Sequence, residues 1–116
     1  MTQITTEFSP AEIDLFIDQG DDFSKIFTLR DADGEALDLT GYVASAKLRQ
    51  YYNTEKDYNL QAEIYGPMTD GQIKVYMTSA DSSLLEKPRY VYSVKLIGTN
   101  SSIRVLTGQA IVSPEA

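Results

Sequence analysis

A chain of 116 residues is long enough for one domain with a real core. Its 10 Lys and Arg against 17 Asp and Glu, a formal charge of −7, argue against wholesale binding to a phosphate backbone. Cysteine and histidine are both absent, which excludes a disulfide framework and removes the commonest general base and metal ligand together.

Residues 1–11 read as a flexible or partner-bound arm: Met1 to Pro10 is polar, without the basic and apolar regions of a secretory signal. No later apolar run approaches the length of a bilayer crossing, so a soluble product made in a cytoplasm is expected, with no membrane partner. Residues 12–113 read as a single β-sandwich domain, and residues 114–116 as a tail. From Glu12 to Asp18, Ile13, Leu15 and Ile17 alternate with Asp14, Phe16 and Asp18, the period of a half-buried strand. Gln19-Gly20-Asp21 turns the chain into a second strand, Phe23–Arg30, where Lys25 interrupts the apolar side and predicts a bulge or a sheet edge.

Asp31-Ala32-Asp33-Gly34 supplies a glycine and turn-forming aspartates for a tight reversal. After a second turn at Gly41, Tyr42, Ala44, Ala46 and Leu48 share one face of a third strand, with Ser45, Lys47 and Arg49 on the other. The charged loop Tyr52–Asp57 leads to a fourth strand in which Tyr58, Leu60, Ala62 and Ile64 alternate with polar residues, and Ile73, Val75 and Met77 mark a fifth. A hydroxyl at Thr78 or Ser79, an acid in the first turn and two leucines predict one short helical turn ended by Pro88. Arg89–Ile97 and Ile103–Val112 complete the set.

About seven short strands joined by turn chemistry predict an all-β, Ig-like antiparallel β-sandwich. The helical turn followed by Tyr90-Val91-Tyr92 stands where such folds place a tyrosine corner, with Tyr92 at a core position.

No catalytic set emerges. Serine has no histidine to activate it, the seven glycines are scattered rather than gathered into a phosphate loop, and no acid is marked for a raised pKa. Asp31-x-Asp33-Gly34-Glu35 opens like a calcium loop but lacks its remaining ligands, so a hairpin is the reading there. Asp18, Asp21 and Asp22 cluster without specific spacing. No enzyme, cofactor or metal is expected. Eight tyrosines are the unusual feature, because tyrosine combines a rigid contact area with a polar end. Tyr51, Tyr52 and Tyr58 gather about the charged loop, while Tyr65 and Tyr76 fall on outer faces of neighbouring strands. These five form the candidate interface, against the plain reading that tyrosine is a good strand former.

Ile17-Asp18-Gln19-Gly20-Asp21-Asp22-Phe23, then F-T-L-R-D-A-D-G-E-A-L-D-L-T-G-Y-V-A-S-A-K-L-R over 27–49, resembles a family of small tailed-phage virion proteins. That family includes the N-terminal domain of the baseplate upper protein type. Gly71–Thr78, Arg89–Val94 and Gly108–Glu115 extend the resemblance over most of the chain from Ile17 onward. The departures are the charged Tyr52–Asp57 loop and the lack of a C-terminal receptor-binding or coiled-coil extension, so the chain resembles a stand-alone module of that type. The resemblance implies a non-enzymatic structural piece of the virion, at the tail or baseplate, that docks with other phage virion proteins or forms a homo-oligomer. The alternative is a carbohydrate- or receptor-binding sandwich that uses Tyr51, Tyr52 and Tyr58 as a stacking platform.

Overall fold

A computed structural model describes residues 2–5, 11–30, 33–51 and 56–114. Its strands are β1 (Thr2–Thr5), β2 (Ala11–Glu12), β3 (Leu15–Asp18), β4 (Phe23–Arg30), β5 (Val43–Arg49), β6 (Gln61–Ile64), β7 (Gln72–Met77), β8 (Arg89–Ile97) and β9 (Ser102–Ser113). One sheet has the order β1-β4-β7-β6; the other has β2-β9-β8-β5, with β3 also pairing β9. The two sheets form a β-sandwich. Between β7 and β8 stands a single helical turn, α1 (Ser79–Ser82).

Alternation builds the core. Every second residue of β7 and of β8 is buried, giving Ile73, Val75 and Met77 from one sheet and Tyr90, Tyr92, Val94 and Leu96 from the other. Phe27, Leu29, Leu48 and Leu60 join them, with Leu15 and Ile17 of β3. Each such aliphatic side chain contributes about 1.5–3 kcal/mol of transfer free energy.

Three expectations are corrected. Thr2–Thr5, assigned to an arm, pairs with Phe27–Arg30 of β4, so these residues belong to a sheet; the polar sequence there concealed a strand. The expected Glu12–Asp18 strand is two strands, parted at Ile13 and Asp14. The sandwich is also not wholly antiparallel, because β2 and β3 run parallel to β9 and β1 runs parallel to β4. Side-chain alternation states which residues face inward and carries no information on strand direction.

The parting of β2 from β3 has a local cause. Ile13 donates its amide to the Thr107 carbonyl at 3.0 Å, and its own carbonyl accepts from the buried Tyr92 hydroxyl. Gly108 lies beneath, with φ of 151°, and a Cβ there would collide with the Ile13 backbone. The chain can cross at this point because position 108 has no side chain.

Lys25 causes no bulge: the β4–β7 register runs without a shift from Phe23↔Met77 to Thr28↔Gln72. Its half of β4 does lie beyond the residues paired by β1, and the Lys25 ammonium sits 5.5 Å from the Phe27 ring centre. The register shift occurs instead between β8 and β9 at Val94/Lys95, which lets both Val105 and Leu106 be buried.

The D-L-T-G-Y stretch is a turn with a plug. Asp38 Oδ1 accepts from the Thr40 amide at 3.0 Å and from its hydroxyl at 2.6 Å, while Leu39 is fully buried. The Tyr42 amide then returns to the Leu39 carbonyl at 3.0 Å. The helical turn is fastened similarly. Buried Ser82 donates to the Asp21 carbonyl at 2.8 Å and accepts from the Gly20 amide at 3.1 Å, and Asp22 accepts from the Ser79 amide at 2.7 Å. The Asp22 carboxylate therefore serves the fold at this turn, and Asp21 contributes its backbone carbonyl. Among the described residues no group of three or more acids is placed to hold a metal ion; Asp31 of the Asp31-x-Asp33 pair lies outside them.

The tyrosine corner is made by Tyr90, whose buried hydroxyl accepts from the Lys87 amide at 2.9 Å. Burial pushes this phenol above its ordinary 10.0; the Lys87 amide offsets part of the rise and the nearby Tyr58 adds to it. The neutral form is thus the one the fold favours. Stability linked to Tyr90 is complete below pH 10 and declines as pH climbs from there through the raised folded value.

Two measurements check these assignments. Gly108→Ala should cost roughly 2–4 kcal/mol in urea unfolding, because strain and collision add there. Gly34→Ala, at φ 84° but with nothing within 4 Å of the new Cβ, should cost only about 1 kcal/mol. In an alkaline titration followed by phenolate absorbance, Tyr90 should ionise above its ordinary 10.0. Tyr90→Phe should flatten the loss of stability above pH 10.

Candidate functional site

The outer face of β4-β7-β6 forms from three cross-strand rows. Ser24, Tyr76 and Gln61 make the first, Ile26, Lys74 and Glu63 the second, and Thr28 with Gln72 begins the third. Tyr65 completes the third row, its amide donating to the Gln72 carbonyl at 2.9 Å. Tyr76 donates its hydroxyl to Gln61 Oε1 at 2.9 Å, and the Lys74 ammonium lies 5.3 Å from its ring centre. Tyr65 is 43% exposed. Two of the five candidate tyrosines therefore share one face, four residues apart along the ladder, or about 13 Å.

Of the other three, the described Tyr51 and Tyr58 are placed differently. Tyr51 is exposed beside β5 and belongs to the other sheet, where it borders a groove of about 510 Å³ with Gln50, Pro88, Arg89 and Gln109. Tyr58 is half-buried at the sandwich margin. Its amide donates to the Leu48 carbonyl at 2.8 Å, and its ring meets Tyr90 edge-on at 5.0 Å and 74°. Tyr52 lies outside the described residues.

Sequence reasoning missed a second surface. The outer face of β5-β8-β9 carries Lys47, Arg49, Lys95 and Arg104 around Ser93, bordering a shallow pocket of about 180 Å³. With Arg89 these are five of the chain's 10 cations, on a molecule of net charge −7. Arg49 Nε and Asp57 Oδ1 stand 2.5 Å apart, and this bond holds the Asp57 carboxyl below its ordinary 3.8. Lys47, Lys95 and Arg104 meet no acidic partner at ion-pair distance among the described residues. The signal was present in the wet-face positions Lys47, Arg49 and Lys95. Only the pairing of β5 with β8 and of β8 with β9 shows that they converge.

An acidic strip flanks this basic region. Glu12, Asp14 and Asp18 are exposed on the β2–β3 side of the same sheet, around Phe16, which is 70% exposed. Asp14 Oδ1 accepts from the Gln109 amide at 3.3 Å.

No family model matches the chain, and no curated protein matches it in sequence. Among solved structures, the chain is similar to the N-terminal domain of phage TP901-1 ORF48, with a TM-score of 0.55 and 14% identity. The match covers 97% of this chain and 99% of that one, and it establishes a shared fold.

The Arg49–Asp57 contact makes a direct prediction. Asp57 should titrate below 3.8 by carboxyl NMR and move back towards it in Arg49→Ala. A depressed carboxyl contributes stability above its unfolded value and loses it as pH falls through the folded one, so Arg49→Ala should also be less sensitive to acid in that window.

Proposed function

We propose that this protein is a non-enzymatic structural domain of a phage virion, associated with the tail or baseplate, that acts by docking onto other virion proteins. The observation that carries the reading is the fold likeness to a domain of a phage protein, which spans nearly the whole of both chains. The motif resemblance over 17–49 and the later strands supports the same assignment from the sequence. Strand order supports an Ig-like arrangement within it, with β4-β7-β6 against β9-β8-β5. The docking surface in this reading is the outer face of β4-β7-β6, where Tyr65 and Tyr76 present rigid contact area at two points about 13 Å apart.

A second reading has one specific observation in its favour. The groove beside Tyr51 combines an exposed aromatic ring with the side-chain amides of Gln50 and Gln109 and with Arg89, the chemistry of a saccharide subsite. Of the two described tyrosines first assigned to a stacking platform, Tyr51 lines it and Tyr58 does not.

Deleting the gene from the phage that carries it and complementing with variants tests the assignment. Particles made without the protein should lack a complete tail tip. Wild type should restore it, and Tyr65→Ala should restore it at least tenfold less efficiently. Complete, infectious particles without the protein would overturn the virion reading. Saturable sugar binding that is lost in Tyr51→Ala would establish the second reading instead.

A further inference from the structure

The outer face of the five-stranded sheet is ordered in rows that run across β5, β8, β9 and the β2–β3 edge. One row holds Lys47, Ser93, Thr107 and Glu12. The next holds Arg49, Val91 and Gln109, and Asp14 closes it through its bond to the Gln109 amide. A third aligns Arg89, Ile111 and Phe16, with Tyr51 beside Arg89 in the groove at the end of β5. Each row therefore has a cation or tyrosine at its β5 end and an acid or phenylalanine at its β2–β3 end.

This arrangement is complementary to itself. We infer that a second copy of this chain docks face to face on the outer surface of β5-β8-β9-β3, about a twofold axis parallel to the strands. Such an axis lays β5 of one copy over β2–β3 of the other at the same height along the strands. Lys47 then meets Glu12, Arg49 meets Asp14, and Tyr51 meets Phe16, each pair occurring twice as an isologous interface requires. A twofold axis across the strands would place β5 on β5 and set Lys47 against Arg49, so charge selects the first arrangement.

A lone basic patch would fit any anion. The acids and the exposed phenylalanine at the far ends of the same rows make the second copy the matching partner. The row Ser45, Lys95 and Arg104 extends past the start of β2 and has no acidic end among the described residues. The same axis lays Lys95 of one copy over Arg104 of the other at that end, a like-charge contact that opposes the association. Four strands at about 4.8 Å spacing and about 25–30 Å of strand length offer roughly 400–500 Å² per copy. That area lies near the lower edge of a specific interface, so the association is weak and salt-sensitive. It uses a different sheet from the Tyr65–Tyr76 face, and neither surface depends on the other.

The test is a charge exchange read by sedimentation equilibrium. At low ionic strength and rising concentration the wild-type mass should climb from 12.9 kDa towards twice that value, and added salt should reverse it. Lys47→Glu alone puts acid against acid, and Glu12→Lys alone puts base against base, so each should associate at least tenfold more weakly. An equimolar mixture of the two variants should regain association, because both cross-interface pairs are opposite in sign again. Tyr51→Ala, which alters neither charge, should weaken association several-fold. Circular dichroism melting curves that overlay wild type show that each variant is folded. A wild type that remains monomeric at its highest soluble concentration in low salt would overturn the inference. So would a mixture that associates no better than its components, or a Tyr51→Ala that self-associates unchanged.

Discussion

The crossing of the Ile13 backbone over Gly108 is the constraint on which the rest of the sandwich depends. Tyr92 reaches from β8 to the Ile13 carbonyl, and Thr107 accepts the Ile13 amide, so the edge of the chain is held to both β8 and β9 at one point. On one side of that point β2 follows β9; on the other, Leu15 and Ile17 turn into the core. A side chain at 108 would separate these strands and leave a buried carbonyl and a buried phenol without each other, each costing about 1–3 kcal/mol. Gly20, Ser82 and Asp22 repeat the device at the other end of β3, where the helical turn pins the next reversal.

From that anchoring follows the distribution of charge. With β2 and β3 fixed at one margin of the sheet and β5 at the other, Glu12 and Asp14 are placed opposite Lys47 and Arg49, although 95 residues separate Asp14 from Gln109. The first sheet carries no such division. There Lys74 stands directly opposite Glu63, and Tyr76 donates to Gln61, so opposite charges face each other across neighbouring strands. The two faces of one small sandwich therefore differ in kind. One is locally neutralised and aromatic, and the other is polarised from edge to edge.

Much of this was legible in the residues. Phe23–Arg30 and Arg89–Ile97 have the predicted limits, and the short helical turn and the tyrosine corner at Tyr90 stand where spacing places them. These features are local, written in alternation and in the turn chemistry of a few neighbours. The parallel direction of β1, β2 and β3 was not legible, because period two is the same whichever way a strand runs. Nor was the grouping of the tyrosines: Tyr51 and Tyr58 are close in sequence, yet Tyr58 turns inward to Tyr90 while Tyr51 stays on the surface. The basic face was hidden for the same reason. Net charge sums over the whole molecule, whereas Lys47, Lys95 and Arg104 meet only through registers set by three different strands.

The parallel seating of β3 on β9 has a consequence for biosynthesis. Leu15 and Ile17 are made well before Ser102–Ser113, the strand that receives them. At ordinary elongation rates that interval is about 5–20 s. Throughout it the nascent chain carries an apolar strand with no template to pair with, while β4, β7 and β6 can already pair with one another. The N-terminal edge is thus the last part of the sandwich to be sealed, and the nascent protein passes through a stage in which that edge is open to any other strand that reaches it first.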